Sequence, residues 1–409
     1  MTSTVERARV VVPGTPEYRQ LLASIAEGAS ARDLADENPF EQIELLRDAG
    51  FGALRLPASI GGGGLSIREL FSVIIDLAEA DPIVAHILRT HYWFVEEKLC
   101  AATADNYGGF DNDPWIQRVL EGKLFGNATS EHGNEAVGNF KYGTHLTKAG
   151  DDYTLDGVKF YSTGTLFSDY VSTWADGDDT TVALVVVPTD REGVTIVDDW
   201  DGIGQRRTGS GTTRFENVTV TDADIVSHIT LAQTPDPTYQ FALLQLYLHA
   251  LISGVLRNVV SDATELIRTR TRGFSHGPSE ELSRDPLLQN VLGKLASTAF
   301  ASESVVLAAA DALDAAYGSL KNAVPDADLS TLASLRASEA KVHIDEIATH
   351  AAAALFEVGG ASAASRSKNL DRHWRNIRTI SVHNPVAYKA QAVGNNILNG
   401  EPLPLNGYF

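Results

Sequence analysis

The chain has 409 residues, 44% of them hydrophobic, which is enough for a large core and too long for one ordinary compact module, so two or three packed units are expected. Its 33 Lys and Arg stand against 53 Asp and Glu, a formal charge of -20, and since phosphate contacts need clustered cations, nucleic acid and anionic membrane are poor partners. The one cysteine, Cys100, allows no internal disulfide and no cysteine metal cluster, which fits a reducing compartment.

Residues 1–13 carry the apolar patch Val10-Val11-Val12 but no long apolar segment with a cleavage site. Nowhere does the sequence show an apolar run long enough for a bilayer, so a soluble, cytoplasmic protein is expected. Up to about residue 120 the pattern is helical. Residues 39–50 put Ile43, Leu45 and Leu46 on one side and end at Gly50, suited to the left-handed turn after a helix. Gly61 to Gly64 predict a flexible or tightly turning connection. Ser66 and Glu69 form a capping-box pattern, followed by Leu70, Phe71, Ile74 and Leu77 at helical spacing.

From about Phe125 to Val220 the character changes to β. Residues 153–155 and 158–160 flank Asp156-Gly157, which predicts a hairpin turn. Thr181 to Val187 is an apolar β-branched run, and Phe215, Val218 and Val220 predict another strand with a turn or bulge at Asn217. After Pro235 and Pro237 come three long Ala- and Leu-rich helical stretches, 239–271, 286–320 and 329–358. The expected architecture is α+β, mostly α: an N-terminal helical domain (1–122), a small antiparallel β domain (123–232) and a C-terminal four-helix-bundle domain (233–409).

Several chemistries have no support. There is no GxxxxGK[ST] loop, and Gly202-Ile203-Gly204 runs into Gln205-Arg206-Arg207 rather than a dinucleotide turn. No GxSxG elbow and no paired Glu-x-x-His motifs for a di-iron site are present. His343, Glu346 and His350 share a helical face, a trio more often exposed than metal-binding, and no metal is expected.

Positive signals lie in three segments. Phe125-Gly126-Asn127-Ala128-Thr129-Ser130-Glu131 offers small and hydroxyl residues that could bond a planar heterocycle. Residues 157–164 (Gly-Val-Lys-Phe-Tyr-Ser-Thr-Gly) and the loop 198–211, with Trp200, follow. In order and spacing these resemble the β domain of acyl-CoA dehydrogenases, in which a G-x-K-x-W-I-T stretch lies along the flavin ring. They resemble more closely the flavin-dependent monooxygenases of the dibenzothiophene monooxygenase type built on that fold. Residues 356–360 through 370–379 and 381–389, including Arg375, Arg378, His383 and Asn384, are similar to the monooxygenase pattern over some thirty positions. Two departures separate the branches: the dehydrogenase Tyr-Glu pair falls on His383-Asn384, and Asn384 cannot be a general base. The strand motif also reads Phe160-Tyr161-Ser162 in place of Trp-Ile-Thr.

The resemblance implies a two-component monooxygenase that takes reduced FMN (FAD less so) from a separate NAD(P)H:flavin reductase and forms a C4a-hydroperoxyflavin with O2. It would oxygenate a small apolar or aromatic substrate at S, N or C; Tyr92, Trp93 and Phe94 motivate the apolar lean. Ser162 would bond the flavin near N5, His383 would be the acid or base, Asn127 would orient the flavin edge or the oxygen, and His91 would stand on the substrate side. Thr129, Ser130, Trp200 as a lid, Arg270 and Arg272 for the phosphate, Gly359, Gly360 and Arg375 complete the implied cofactor site, and a homotetramer is implied. The alternatives are an FAD-dependent acyl-CoA dehydrogenase and a flavin-fold scaffold without catalysis.

Overall fold

The computed structural model describes residues 9–133, 141–178, 181–230, 238–273 and 275–409; the expected junction at 232/233, with Pro235 and Pro237, lies outside them. Seven helices come first: α1 (Pro16–Ala26), α2 (Ala29–Ala35), α3 (Phe40–Asp48), α4 (Ile67–Ala80), α5 (Pro82–Ile87), α6 (Arg89–Ala101) and α7 (Pro114–Leu120). Helix α3 buries Ile43 and Leu46 while Leu45 is half-buried, and Gly50 after it has φ +61°. The glycine run is a tight turn, because a Cβ on Gly62 or Gly63 would strike the backbone of Leu56 or Leu54. Both halves of the capping box form: Ser66 Oγ accepts from Glu69 N–H (3.1 Å), and Ser66 N–H donates to Glu69 Oε2 (2.8 Å). Ser66→Ala is expected to cost about 1 kcal/mol of stability, read as a lowered urea midpoint.

The strands are β1 (Phe125–Asn127), β2 (His145–Ala149), β3 (Asp152–Lys159), β4 (Tyr170–Asp178), β5 (Thr181–Pro188), β6 (Val194–Val197), β7 (Thr212–Val220) and β8 (Ile225–Thr230). They order as β6-β7-β3-β2-β4-β5-β8, with β1 also on β4. The sheet is mixed, a correction to the antiparallel expectation: β1 runs parallel to β4, and β2 joins β4 in the parallel sense at His145 and Asp176. The predicted hairpin turn is displaced as well. Asp156-Gly157 lies inside β3, at a bulge against β7, and β2 turns into β3 at Gly150-Asp151. The reason is local: Asp156 Oδ1 accepts from Asn217 N–H (2.7 Å), Asn217 has φ +52°, and any Cβ at 157 would strike the Thr144 side chain.

The chain then forms α8 (Tyr239–Thr269), α9 (Pro286–Gly318), α10 (Ala327–Gly359), α11 (Asp371–Ser381) and α12 (Val386–Asn399). Asp285 and Asp326 cap α9 and α10 by accepting from the second and third amides of each helix. Three long helices pack on one another, and α11 and α12 in succession lie against α10 in place of a fourth long one. Helix α4 packs on α8 so closely that a Cβ on Gly254 would meet Ile75 and Ala78, so one apolar core runs from the first helices into the bundle. Helices α8 and α9 do reach membrane-spanning length and hydropathy, contrary to the sequence reading. Most of α8 is buried core, whereas α9 leaves apolar residues such as Leu287 and Phe300 on the surface.

Candidate active site

Where β3 ends, the backbone enters a narrow passage. Tyr161 takes φ +56° and sits half exposed, its ring edge-on to Trp200 at 5.8 Å. Ser162 follows, 1% exposed. Its N–H donates to Gly211 O (3.1 Å), Gly164 N–H donates to Thr208 O (2.9 Å), and Thr90 Oγ1 on α6 donates to Thr163 O (3.2 Å). A hydroxyl chain of Thr163, Ser210 and Thr208 stitches the two loops at 2.7–2.8 Å. Within this rigid frame the Ser162 hydroxyl has no protein partner, and a buried hydroxyl left alone is costly.

The loop after β6 supplies the opposite wall. Trp200 Nε1–H donates to Gln205 O (2.9 Å), and Gly202 lies against the indole so closely that a side chain there would strike it. Gln205, at φ +52°, ties three parts of the molecule: its N–H donates to Asn376 Oδ1 on α11 (2.8 Å) and its Oε1 pairs with His86 Nδ1 on α5 (3.0 Å). Its Nε2 is buried without a partner. Because Gln205 Oε1 can only accept, His86 carries its proton on Nδ1. Burial, and then Arg89, push the His86 pKa down to about 3.

His383 follows α11 and lies beside Tyr408 of the C-terminal tail, ring centroids 6.0 Å apart. It is an exposed residue. Desolvation by the surrounding protein, followed by the cations Arg89 and Lys341, holds its pKa below the ordinary histidine value, so the imidazole is neutral at neutral pH. Next to it Asn384 Nδ2 donates to Gln245 Oε1 on α8 (2.9 Å). The side chains that meet there are two amides, and neither supplies the carboxylate that α-proton removal from a thioester needs.

The 127–131 segment is fixed from below. Lys159, fully buried, donates to Glu131 Oε1 (2.6 Å), Trp174 O (2.8 Å) and Thr129 O (3.4 Å). Asn127 is engaged at both ends of its amide: Oδ1 accepts from Thr129 Oγ1 (2.7 Å) and Nδ2 donates to Ser172 Oγ (3.2 Å). Ser130 bridges to Phe160 through the backbone, and its side chain is within reach of the Tyr408 hydroxyl.

Other expected site residues stand elsewhere. His91 is a core residue: Nε2–H donates to Gly52 O (3.0 Å), Nδ1 accepts from Phe125 N–H (3.3 Å), and the ring stacks on Phe125. Burial first of all drops its pKa to about 4. Tyr92, Trp93 and Phe94 are likewise buried in the hydrophobic clusters, which removes the motive for an apolar substrate. Arg375 is held by Asp33 (2.9 Å) and Asp371 (2.8 Å) and is not free for a phosphate. Arg270 caps Val358 O (2.8 Å) beside Gly359 and Gly360, and Arg272 is exposed nearby. From His249 to Arg270 along α8 is about 30 Å at 1.5 Å per residue. These four residues therefore stand toward the other end of α8 from His249.

His86, Arg89, Gln205 and Tyr408 were not singled out by the sequence. His86 and Arg89 were detectable only as polar residues three apart in an apolar helical stretch, and Tyr408 had no local signal at all.

A ring-stacking cofactor that carries both acceptors and donors suits this cleft, since Ser162 Oγ and Gln205 Nε2 are buried, unpartnered and held on two clamped loops. Models of the acyl-CoA dehydrogenase middle domain and C-terminal domain match residues 127–218 and 246–388, between them more than half of the chain. The chain belongs to the acyl-CoA dehydrogenase family. Within that fold it stands with the flavin-dependent monooxygenases. It is 27% identical over 400 residues to a probable FMNH2-dependent monooxygenase of Pseudomonas putida, covering 96% of each chain. It is 29% identical over 391 residues to the dibenzothiophene monooxygenase of Mycolicibacterium goodii, covering 92% of this chain and 91% of that one. FMN-bound TdsC from Paenibacillus superposes with a TM-score of 0.86 at 24% identity (96% and 98% covered). Methanesulfinate monooxygenase from Pseudomonas fluorescens superposes at 0.84 and 25% (98% and 100% covered).

Proposed function

We propose that the chain is the oxygenase component of a two-component system, taking reduced FMN from a separate NAD(P)H:flavin reductase and using O2 to oxygenate a small organic molecule. The observation that carries this reading is the unpartnered Ser162 hydroxyl, buried between two clamped loops. Reduced FMN with O2 would supply an electrophilic oxygen, as a C4a-hydroperoxyflavin. Ser162 donates its hydroxyl hydrogen to the flavin edge, and Gln205 Nε2 donates from the facing loop. Trp200 and Tyr161 cover the ring and exclude water. His383 receives a proton on the substrate side. Since the Asn127 amide is already bonded at both ends, its contribution is to hold Thr129 in place.

The remoteness of Arg270 and Arg272 and the exposed apolar residues of α9 and α12, such as Phe300 (73%) and Leu398 (81%), support a homotetramer in which those arginines serve a neighbouring subunit's flavin. The division at 122/123 and 232/233 and a cytoplasmic location belong to the same proposal.

The test is to load the protein anaerobically with reduced FMN, add O2, and follow the return of oxidised-flavin absorbance. A return much slower than that of free reduced FMN is expected. Ser162→Ala should weaken FMN binding about tenfold, the worth of one hydrogen bond to a buried donor. A return as fast as for free flavin, unchanged in Ser162→Ala, would remove the reading. Reduction of bound FAD by a short acyl-CoA would replace it with the dehydrogenase alternative.

A further inference from the structure

Six cationic side chains are buried among the described residues, and four have a carboxylate: Arg55 has Glu96, Lys98 has Asp113, Lys159 has Glu131 and Lys341 has Asp345. The fifth, Lys389, has only the Ser338 hydroxyl (3.4 Å) and the Phe409 ring, and burial takes its pKa to about 7, so it can shed its proton. Arg89 is the sixth. It is 7% exposed and has no carboxylate partner among the described residues, and burial lowers its pKa only to about 10, so it keeps its charge.

Its position adds to the cost. Arg89 is the first residue of α6, the positive end of the helix, where a cation is disfavoured. Its Nε–H donates to Leu244 O (3.0 Å), while among the described residues its two terminal nitrogens have no protein partner and are not sealed from open space. Among the described residues no carboxylate repays the desolvation of this guanidinium. It lies close enough to His383, His86 and Tyr408 to bias all three, which places it in the cleft described above. Both neighbouring histidines are neutral, so the formal charge in this corner is positive on a chain whose net charge is -20.

We propose that Arg89 anchors the substrate, and that the substrate is a small organic oxyanion, a carboxylate or a sulfinate, whose two oxygens take the terminal nitrogens of the guanidinium. The planar fork of arginine matches such a head group with two parallel hydrogen bonds, and the charge-assisted pair restores what burial removed. This rests on the monooxygenase reading for what happens next; the anion site itself is a property of the protein alone.

Isothermal titration calorimetry with propanesulfinate, butyrate and their neutral counterparts methyl propyl sulfone and butyramide tests it, with the protein free of flavin and loaded with oxidised FMN. In the wild type at least one anion should bind ten- to a hundredfold more tightly than its neutral counterpart, the worth of a charge-assisted bond. The preferred anion identifies the head group. Arg89→Gln should abolish the preference with FMN affinity unchanged within about twofold, and Arg89→Lys should keep part of it. Equal binding of anion and neutral molecule, no measurable binding of either anion, or a preference that survives Arg89→Gln would overturn the proposal. The wild-type comparison decides even if a variant misfolds. FMN titration separates the two claims: anion preference without FMN binding leaves Arg89 standing and removes the monooxygenase reading, whereas FMN binding without anion preference does the reverse.

Discussion

Replacing His383 with alanine is expected to lower product formation by about 10²–10⁴-fold, the usual worth of a positioned acid or base, while FMN affinity stays near that of the wild type. The imidazole is placed to accept rather than to donate first. Desolvation by the surrounding protein and the cations Arg89 and Lys341 disfavour its protonated form. Across neutral pH it is therefore a neutral base, and the wild-type profile of kcat/KM should show no acid limb near 6.5 belonging to it. Two measurements check this: single-turnover product yield for His383→Ala, and the pH profile of both proteins. An acid limb near 6.5 in the wild type that vanishes in His383→Ala would show that Arg89 and Lys341 do not depress its pKa.

The largest effect on stability should come from Glu96→Ala. Glu96 is fully buried on α6 and meets Arg55 twice, through Nε (2.5 Å) and Nη2 (3.3 Å). It also accepts from Tyr239 Oη–H at the start of α8 (3.1 Å), and Arg55 lies 4.8 Å from the ring of Tyr317 near the end of α9. One carboxylate thus pins the first helices to the bundle. Removing it strands a buried guanidinium, which costs about 3–5 kcal/mol. The expected readout is a large drop in urea midpoint, with most of it recovered in the double variant Arg55→Met/Glu96→Leu, since two apolar groups of similar volume leave no charge behind. A Glu96→Ala midpoint within experimental error of the wild type would show that the pair is solvated.

The sheet shows where local sequence reasoning fails. Asp156-Gly157 has the composition of a tight hairpin, yet the turn formed at Gly150-Asp151, because Asp156 was needed to hold the left-handed Asn217 of a strand sixty residues away and Gly157 to let Thr144 approach. His91 shows the same for the site. Its neighbours on α6 are aromatic, as beside many ligand pockets, but a carbonyl from Gly52 and an amide from Phe125 occupy both ring nitrogens. Neither partner is near it in sequence.

The sequence by itself determined the order of helix, sheet and bundle, the helix start at Ser66, and the segments around Ser162 and His383, because caps, periodicity and motif spacing act over a few residues or one turn. Only the tertiary structure decided which polar groups were left without partners. Burial and pairing are set by segments that meet across more than a hundred positions: His86 with Gln205, Asn384 with Gln245, and Tyr408 with Ser130. The sequence shows Arg89 as one of 33 cations; that among the described residues it alone keeps its charge in the interior without a carboxylate follows from the packing around it.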